Sequence, residues 1–467
     1  MVAVKLRWGI GAAAVSALLL PAGNALSADQ AKTVTFSKDV APIFQAKCQS
    51  CHEPGSIAPM SLMTYDEARP WAKSIRERVS TRQMPPWHVD KNIGIQKFKN
   101  DISLTDQQVD TIVAWVDQGA QQGNPADMPA PKPVTTTLYW QAEHDGYGPP
   151  DIVVKSPEYT MQAVHQDEWW RPIVDIPGLT EPRWVQMVEI RPENLAGRKI
   201  IHHSIAHLIL NNDPDAVSHG TATGARRGPA APDPDDPLDT VNQRPQLMEW
   251  AIGKGYDRYM TGTGKLIIPG EKIQWDEHIH AVGEEVKSGS ELGIWLYPKG
   301  QEPKHRSYLI GFTGLKNGTV GLDIAPNSIA QTEGFTVLKE NTFITNFQPH
   351  FHMRGKAMRV EAILPDGSNQ IIGSVSDFNF NWMTNYIFAD DAVPAFPKGT
   401  IIHVTAFYDN TKANKNNPDS DQWVGYGDRT VDEMAHAWMN VVYISDAEYQ
   451  EWLDQHKKAN TTQDQQQ

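Results

Sequence analysis

Three groups of residues have spacings that ordinary packing does not require. In Cys48-Gln49-Ser50-Cys51-His52 two thiols stand three positions apart with an imidazole directly after the second. That spacing lets both thiols add to haem vinyl groups while His52 ligates the iron. His350-Phe351-His352 places imidazoles on alternate residues. On a strand alternate side chains share a face, so both rings can converge on one ion. Met434, in Asp432-Glu433-Met434, is the candidate third ligand, because Ala437 to Tyr443 reads as a buried strand able to lie beside the first. Two imidazoles and a thioether form a soft, under-coordinated set. It suits copper, Cu(I) above all, better than zinc or magnesium, and leaves a position open to dioxygen. The third group is His202-His203, with His207 behind it and His278-Ile279-His280 further on. Adjacent residues of a regular strand face opposite ways, so His202 and His203 share an ion only where the strand twists or bulges. With either His278 or His280 they complete an all-histidine copper or zinc site.

Each group needs elements to hold it. Ser37 to Phe44 reads as a capped amphipathic helix leading into the thiols. Arg82-Gln83-Met84-Pro85-Pro86-Trp87 is kept extended by its prolines and offers Met84 as the other axial ligand, with Met60 and Met63 as alternatives. A closing helix starts at Thr105, with Gln108 completing a capping box. It turns Val109, Ile112, Val113 and Val116 to one face and stops at Gly119. A Pro- and Ala-rich spacer follows over 123–149. Beyond it, short alternating runs between Pro and Gly turns, such as Trp184 to Ile190 and Gly293 to Tyr297, predict sandwich or jelly-roll layers. Residues 211 to 246 read as a mobile polar loop, and 447–467 as a polar tail.

A chain of 467 residues is expected to divide into two to four domains. Its net charge of −14 disfavours binding to nucleic acid or to an anionic membrane through charge. Residues 1–28 read as a signal peptide: Lys5 and Arg7, an apolar run from Gly9 to Leu20, then a small-residue exit to Ala28. That run is too short to span a bilayer comfortably, so the mature protein is expected to be exported, periplasmic or secreted, without a membrane span. Its two cysteines form no disulfide framework.

The unit over about 33–122 resembles a small class I-type cytochrome c, which implies one covalent haem c on Cys48 and Cys51 with His52 and Met84 as axial ligands. From about 150 to 446, the ordered set His-His, a His in a turn-flanked strand, His-x-His and Asp-Glu-Met resembles the copper type II, ascorbate-dependent monooxygenases, the family of peptidylglycine and dopamine beta-monooxygenases. The two resemblances imply a multidomain fold: an all-α cytochrome c domain, then two all-β jelly rolls at 150–310 and 311–446, each holding one copper across a solvent-filled cleft. They imply His202, His203 and His278 as ligands of the electron-storing copper, His278 being preferred to His280 for its place before Gly283. His350, His352 and Met434 then hold the copper where oxygen reacts. Two features depart from that family. No cysteine is left for disulfides, and Gln348, His436 and Trp438 stand where the peptidylglycine enzyme grips a carboxylate. A neutral or aromatic small molecule is therefore expected as substrate. The implied reaction is hydroxylation of an aliphatic C–H bond by O2, with the fused haem relaying electrons from an exported donor. The competing reading is a non-catalytic exported haem and copper protein for electron transfer or metal handling. Ligands spread as one set per domain, rather than massed in runs, favour the enzyme.

Overall fold

The computed structural model describes residues 33–54, 58–130, 138–210, 246–251, 254–315, 322–427 and 429–464. The expected leader, the polar loop at 211–245 and part of the spacer, 131–137, lie outside them. Among the described residues no helix is long and apolar enough to cross a membrane.

The N-terminal part is helical. A wide turn at Phe36–Val40 runs into the helix Ala41–Lys47, which ends at Cys48. Ser37 does not cap this start, its hydroxyl being buried without a partner; instead the Asp39 carboxylate accepts from the Thr35 N–H at 2.9 Å. The closing helix Asp106–Asp117 follows its sequence closely. Thr105 Oγ1 accepts from the Gln108 N–H at 3.2 Å, and Gln108 Oε1 accepts from the Thr105 N–H at 2.9 Å. Gly119 at φ +96° stops it, in the left-handed region glycine enters at no steric cost. Trp115, fully buried, outcompetes Val113 and Val116 for the inward face and meets Phe36 and Phe44 at ring-centroid distances of 5.7 and 6.4 Å.

The remainder is two β-sandwiches that share one long sheet. In order it runs Ile152–Lys155, Ser290–Leu296, Arg183–Pro192, Thr263–Ile267, His305–Thr313, His436–Ile444, Asn341–Ile344 and Ala395–Phe396. A second sheet, Glu168–Trp170, Glu271–Ile279, Ile201–Leu210 and Gln246–Ala251, closes the first sandwich over a core that includes Val188, Ile294, Leu208 and Trp275. The sheet Ile329–Val337, Ile401–Asp409, Gly355–Ile363 and Asn369–Val375 closes the second. Strict alternation along Ile401–Asp409 buries Ile402, Val404, Ala406 and Tyr408, and a fully buried large apolar chain contributes about 1.5–3 kcal/mol. The expected boundary at 310/311 falls inside the strand His305–Thr313. That strand pairs in parallel with Thr263–Gly264 and antiparallel with His436–Val442, so the two sandwiches are joined by hydrogen bonds.

Three segments have structure that their sequence left open. The second half of the spacer packs on the first sandwich: Trp140 is buried against Trp295 at 5.9 Å, and Glu189 accepts from the Gln141 and Ala142 N–H groups at 2.7 and 2.9 Å. The expected polar tail is a helix, Asp446–Asp464. Residues 86–100 leave the helical unit and lie along the second sandwich as a strap. The N–H groups of Asp90, Ile95 and Lys99 donate to the carbonyls of Ser374, Ile372 and Ile387 at 2.8, 3.1 and 2.8 Å. The Trp87 ring stands edge-on to Tyr386 at 4.8 Å, and Gly94 sits at φ +71° where a Cβ would come within 2.7 Å of the Ile372 oxygen.

Candidate functional site

His202, His203 and His278 converge: one ligand atom from each lies within 4.8 Å of the others. The means is a bulge. His278 is opposite His203 and Ile279 is opposite Ile201, so His202 is the extra residue, turned out of alternation towards its neighbour. His280 lies past the strand end, its ring 6.3 Å from His202 against 5.3 Å for His278, so the geometry selects His278. His207 pairs with Gln274 four residues along and is not in the cluster. His278 Nε2 is 2.9 Å from Asp167 Oδ2. With Nε2–H donating to that carboxylate, the lone pair falls on Nδ1, the arrangement in which an outer partner fixes a ligand's tautomer. The hydrogen bond also holds the Asp167 carboxyl below its usual range. Trp169 stacks on His278 at 4.6 Å and 7°.

His350 ends the strand Asn346–His350, and His352 follows in a turn, so strand alternation alone does not bring them together. Their rings nevertheless lie 5.6 Å apart. As expected, the strand His436–Ile444 lies beside them, His350 opposite His436 and Gln348 opposite Trp438. The organiser is Glu433, fully buried. It accepts from the backbone N–H of His352 at 3.0 Å, of Arg354 at 2.5 Å and of Met434 at 3.3 Å. One carboxylate therefore ties the Met434 backbone to the His-x-His turn. His352 Nδ1 is 3.1 Å from the Asp432 carbonyl, which can only accept, so Nε2 keeps the lone pair. Burial, with the neighbouring imidazoles adding to it, pushes His202 down to about 3 and holds His203 and His350 well below the ordinary histidine range. These rings stay neutral at physiological pH, the form a metal requires.

The first set lies against the second sandwich, which carries His350 and His352. Phe380 of the second sandwich stacks on His202 at 4.7 Å, and Thr430 Oγ1 is 3.4 Å from His278 Nε2. His350 and His352 both contribute to the electrostatic field at His203.

Cys48, Cys51 and His52 form the turn after Ala41–Lys47: the Cys51 and His52 N–H groups donate to the Cys48 carbonyl at 3.1 and 2.9 Å. Both cysteines are free thiols, and burial pushes Cys48 up to about 12. His52 Nδ1 is 3.2 Å from the Met60 carbonyl, leaving Nε2 as the ligand atom. Two unpaired thiols beside an imidazole of fixed tautomer fit the donor set of a covalently attached haem. Met60 packs against the helical core, whereas half-buried Met84 follows the helix Ala72–Ser80 at the head of the strap. Glu53 accepts from the Tyr139 hydroxyl at 3.0 Å, and Arg198, four residues before His202, acts on Cys51 electrostatically.

Asp167, Trp169, Thr430 and Phe380 had no signal in sequence, because three lie in loops without a period and Trp169 in a strand of only three residues. Glu433 had one: it stands between Asp432 and Met434. No family model and no curated protein matches the chain. Among solved structures, PNGF-II aligns at 10% identity and a TM-score of 0.26, over 62% of this chain and 65% of that one. The VP2 subviral particle of infectious bursal disease virus aligns at 9% identity and a TM-score of 0.18, over 63% of this chain and 74% of that one. Likenesses at that level carry no argument about this chain.

Proposed function

We propose that the chain is an exported, copper-dependent monooxygenase that hydroxylates an aliphatic C–H bond of a small molecule, with electrons drawn through a covalent haem c from an exported donor. The observation that carries this reading is the convergence of His202, His203 and His278 opposite His350 and His352, with every ring buried or half-buried. The reaction balances as R–H + O2 + 2 e⁻ + 2 H⁺ giving R–OH + H2O. When bound, copper supplies one-electron redox chemistry and a binding position for oxygen, so two electrons require two sites. His202, His203 and His278 would hold one ion, and His350, His352 and Met434 the other. Cys48, Cys51, His52 and Met84 would hold the haem.

The chain's own groups orient these ligands. Asp167, the Asp432 carbonyl and the Met60 carbonyl each fix one nitrogen of an imidazole and so present the other. Trp169 and Phe380 cover the His202 and His278 rings and keep water from them. Gln348 is occupied by Lys254 Nζ at 3.0 Å and by Glu249, so it is not available to a substrate carboxylate. That supports a neutral or aromatic substrate and predicts that peptides ending in glycine turn over poorly.

The test is a copper count on the reduced protein with X-ray absorption, followed by oxygen uptake with candidate substrates and a search for products heavier by one oxygen. Two coppers are expected, with a sulfur scatterer that Met434→Ile removes while the three-His site stays loaded. Two coppers that cycle without consuming oxygen on any substrate would leave the non-catalytic electron-transfer reading instead.

A further inference from the structure

His350 lacks the close partner that orients three of the other candidate ligands, as does His202, whose Nδ1 is also buried without a hydrogen bond. The partners of His52, His278 and His352 lie within 3.2 Å. His350 Nδ1 is buried with no hydrogen bond, and the group it faces is Glu249 Oε1 at 4.0 Å, also buried with none. Glu249 belongs to the other sandwich. It lies on Gln246–Ala251, opposite Ile205 of the strand that carries His202 and His203. Its second oxygen is already engaged by the Gln348 amide, and Lys254 Nζ in turn donates to Gln348 Oε1 at 3.0 Å and pairs with Asp257 at 3.0 Å. The carboxylate is thus fixed through Oε2 while Oε1 points at the imidazole. Glu249 is 1% exposed and Gln348 1%, so water does not compete for either atom.

We propose that Glu249 is the positioning residue for His350: with an ion on Nε2, Nδ1–H donates to Glu249 Oε1 across the joint between the sandwiches. The proposal rests on the copper reading above. It adds that the ligand frame of the second site is held from the first sandwich, on the strand next to the first site. A carboxylate in this role fixes ring orientation and raises ligand basicity, and its loss lowers metal affinity about 10- to 100-fold.

The experiment titrates copper into the full chain against a competing chelator, reading the two sites separately by the sulfur scatterer of the second. Glu249→Leu should lower the affinity of the second site by at least about tenfold and leave the three-His site unchanged. Glu249→Gln, nearly isosteric and so the safer variant for folding, keeps an acceptor without the charge and should lower it about fivefold, as a neutral hydrogen bond replaces a charged one. Melting of the metal-free variants checks the fold. Unchanged affinity in Glu249→Gln, while His350→Ala abolishes binding, overturns the positioning role and leaves the copper reading standing. A His350→Ala variant that binds both coppers like the wild type overturns both. Equal weakening of both sites overturns the positioning role in favour of a general structural one.

Discussion

Trp87→Ala tests whether the helical unit is clamped to the second sandwich or only tethered to it. The Trp87 ring meets Tyr386 at 4.8 Å and 83°, and Phe98 at 5.4 Å and 79°. Each such edge-to-face pair is worth about 0.5–1.5 kcal/mol beyond area, so removing both costs about 2 kcal/mol. Trp87 is half-buried, which keeps the total below the larger losses of a fully buried Trp. Asp90 still holds the strap through the Ser374 and Ser376 hydroxyls, both at 2.6 Å, so the expected change is local opening and not global unfolding. A loss of 2 kcal/mol corresponds to about 30-fold faster hydrogen exchange. It should appear at the amides of Asp90, Ile95, Lys99 and Ala389, whose acceptors lie on the other side of the contact. Amides of the closing helix Asp106–Asp117 serve as the internal control. Unchanged protection of these four amides in a folded variant would refute the ring contribution and assign the clamp to the backbone pairing and Asp90 alone.

Glu433→Ala leaves three buried N–H groups without an acceptor, at about 1 kcal/mol or more each, so a loss of about 3 kcal/mol is expected in denaturant unfolding, together with the copper at His350 and His352. A loss under about 1 kcal/mol would remove the clasp. His203 is depressed by burial, so below pH 6.5 the unfolded chain takes up a proton that the folded chain does not, and stability falls with pH by about 1.4 kcal/mol per unit for this group. Buried Glu189, Glu277 and Glu433, pushed up to about 7, act in the opposite sense between pH 4.5 and 7, so the histidine contribution is read as a difference. The metal-free His203→Phe variant should show a pH slope shallower by about 1.4 kcal/mol per unit between pH 6 and 4, and parallel curves would contradict the neutral buried imidazole. Haem absorbance should stay on the denatured polypeptide and be lost from it in Cys48→Ser/Cys51→Ser; colour that extracts from the wild type into acidified organic solvent would refute covalent attachment.

Local rules were legible where one residue type had one physical use. The Thr105 and Gln108 capping box, the Gly119 stop and the pairing of His350 with the strand at His436 follow from side chains three residues apart, a left-handed φ and a buried run. The irregularity at His202 was legible as a condition, because two adjacent imidazoles share an ion only where the strand twists or bulges, and the register shows a bulge. The continuous sheet was not legible, since the strand His305–Thr313 has the same alternation whether it lies at an edge or between two sandwiches. The strap was hidden for another reason. Trp87, Val89, Ile95 and Phe98 are too irregularly spaced for helix or strand, and their partners lie almost 300 residues away. Glu249 was unreadable for the same reason, as its relation to His350 exists only once two sandwiches meet.

The strap also changes how the proposed relay has to be thought of. A tether raises the effective concentration of one unit near another and leaves their separation open, whereas a docked unit fixes it. Here the helical unit and its strap meet, at two places, segments that lead along the chain to the histidine sets. On the thiol side, Glu53 meets Tyr139, and Arg198, whose charge acts on Cys51, lies in the turn Gly197–Ile200 that leads into His202. On the Met84 side, Trp87 meets Tyr386, which pairs with Phe347 on the strand that ends at His350. For one-electron transfer a fixed short path is what matters, and the thiol side runs four positions along the chain, Arg198 to His202, where the Met84 side runs six, Met84 to Trp87 and Phe347 to His350. It leads to the all-imidazole set, the one that in the proposed reaction stores an electron and does not meet oxygen. The Met84 side then serves chiefly to hold the strap on the second sandwich, through Trp87 and Tyr386.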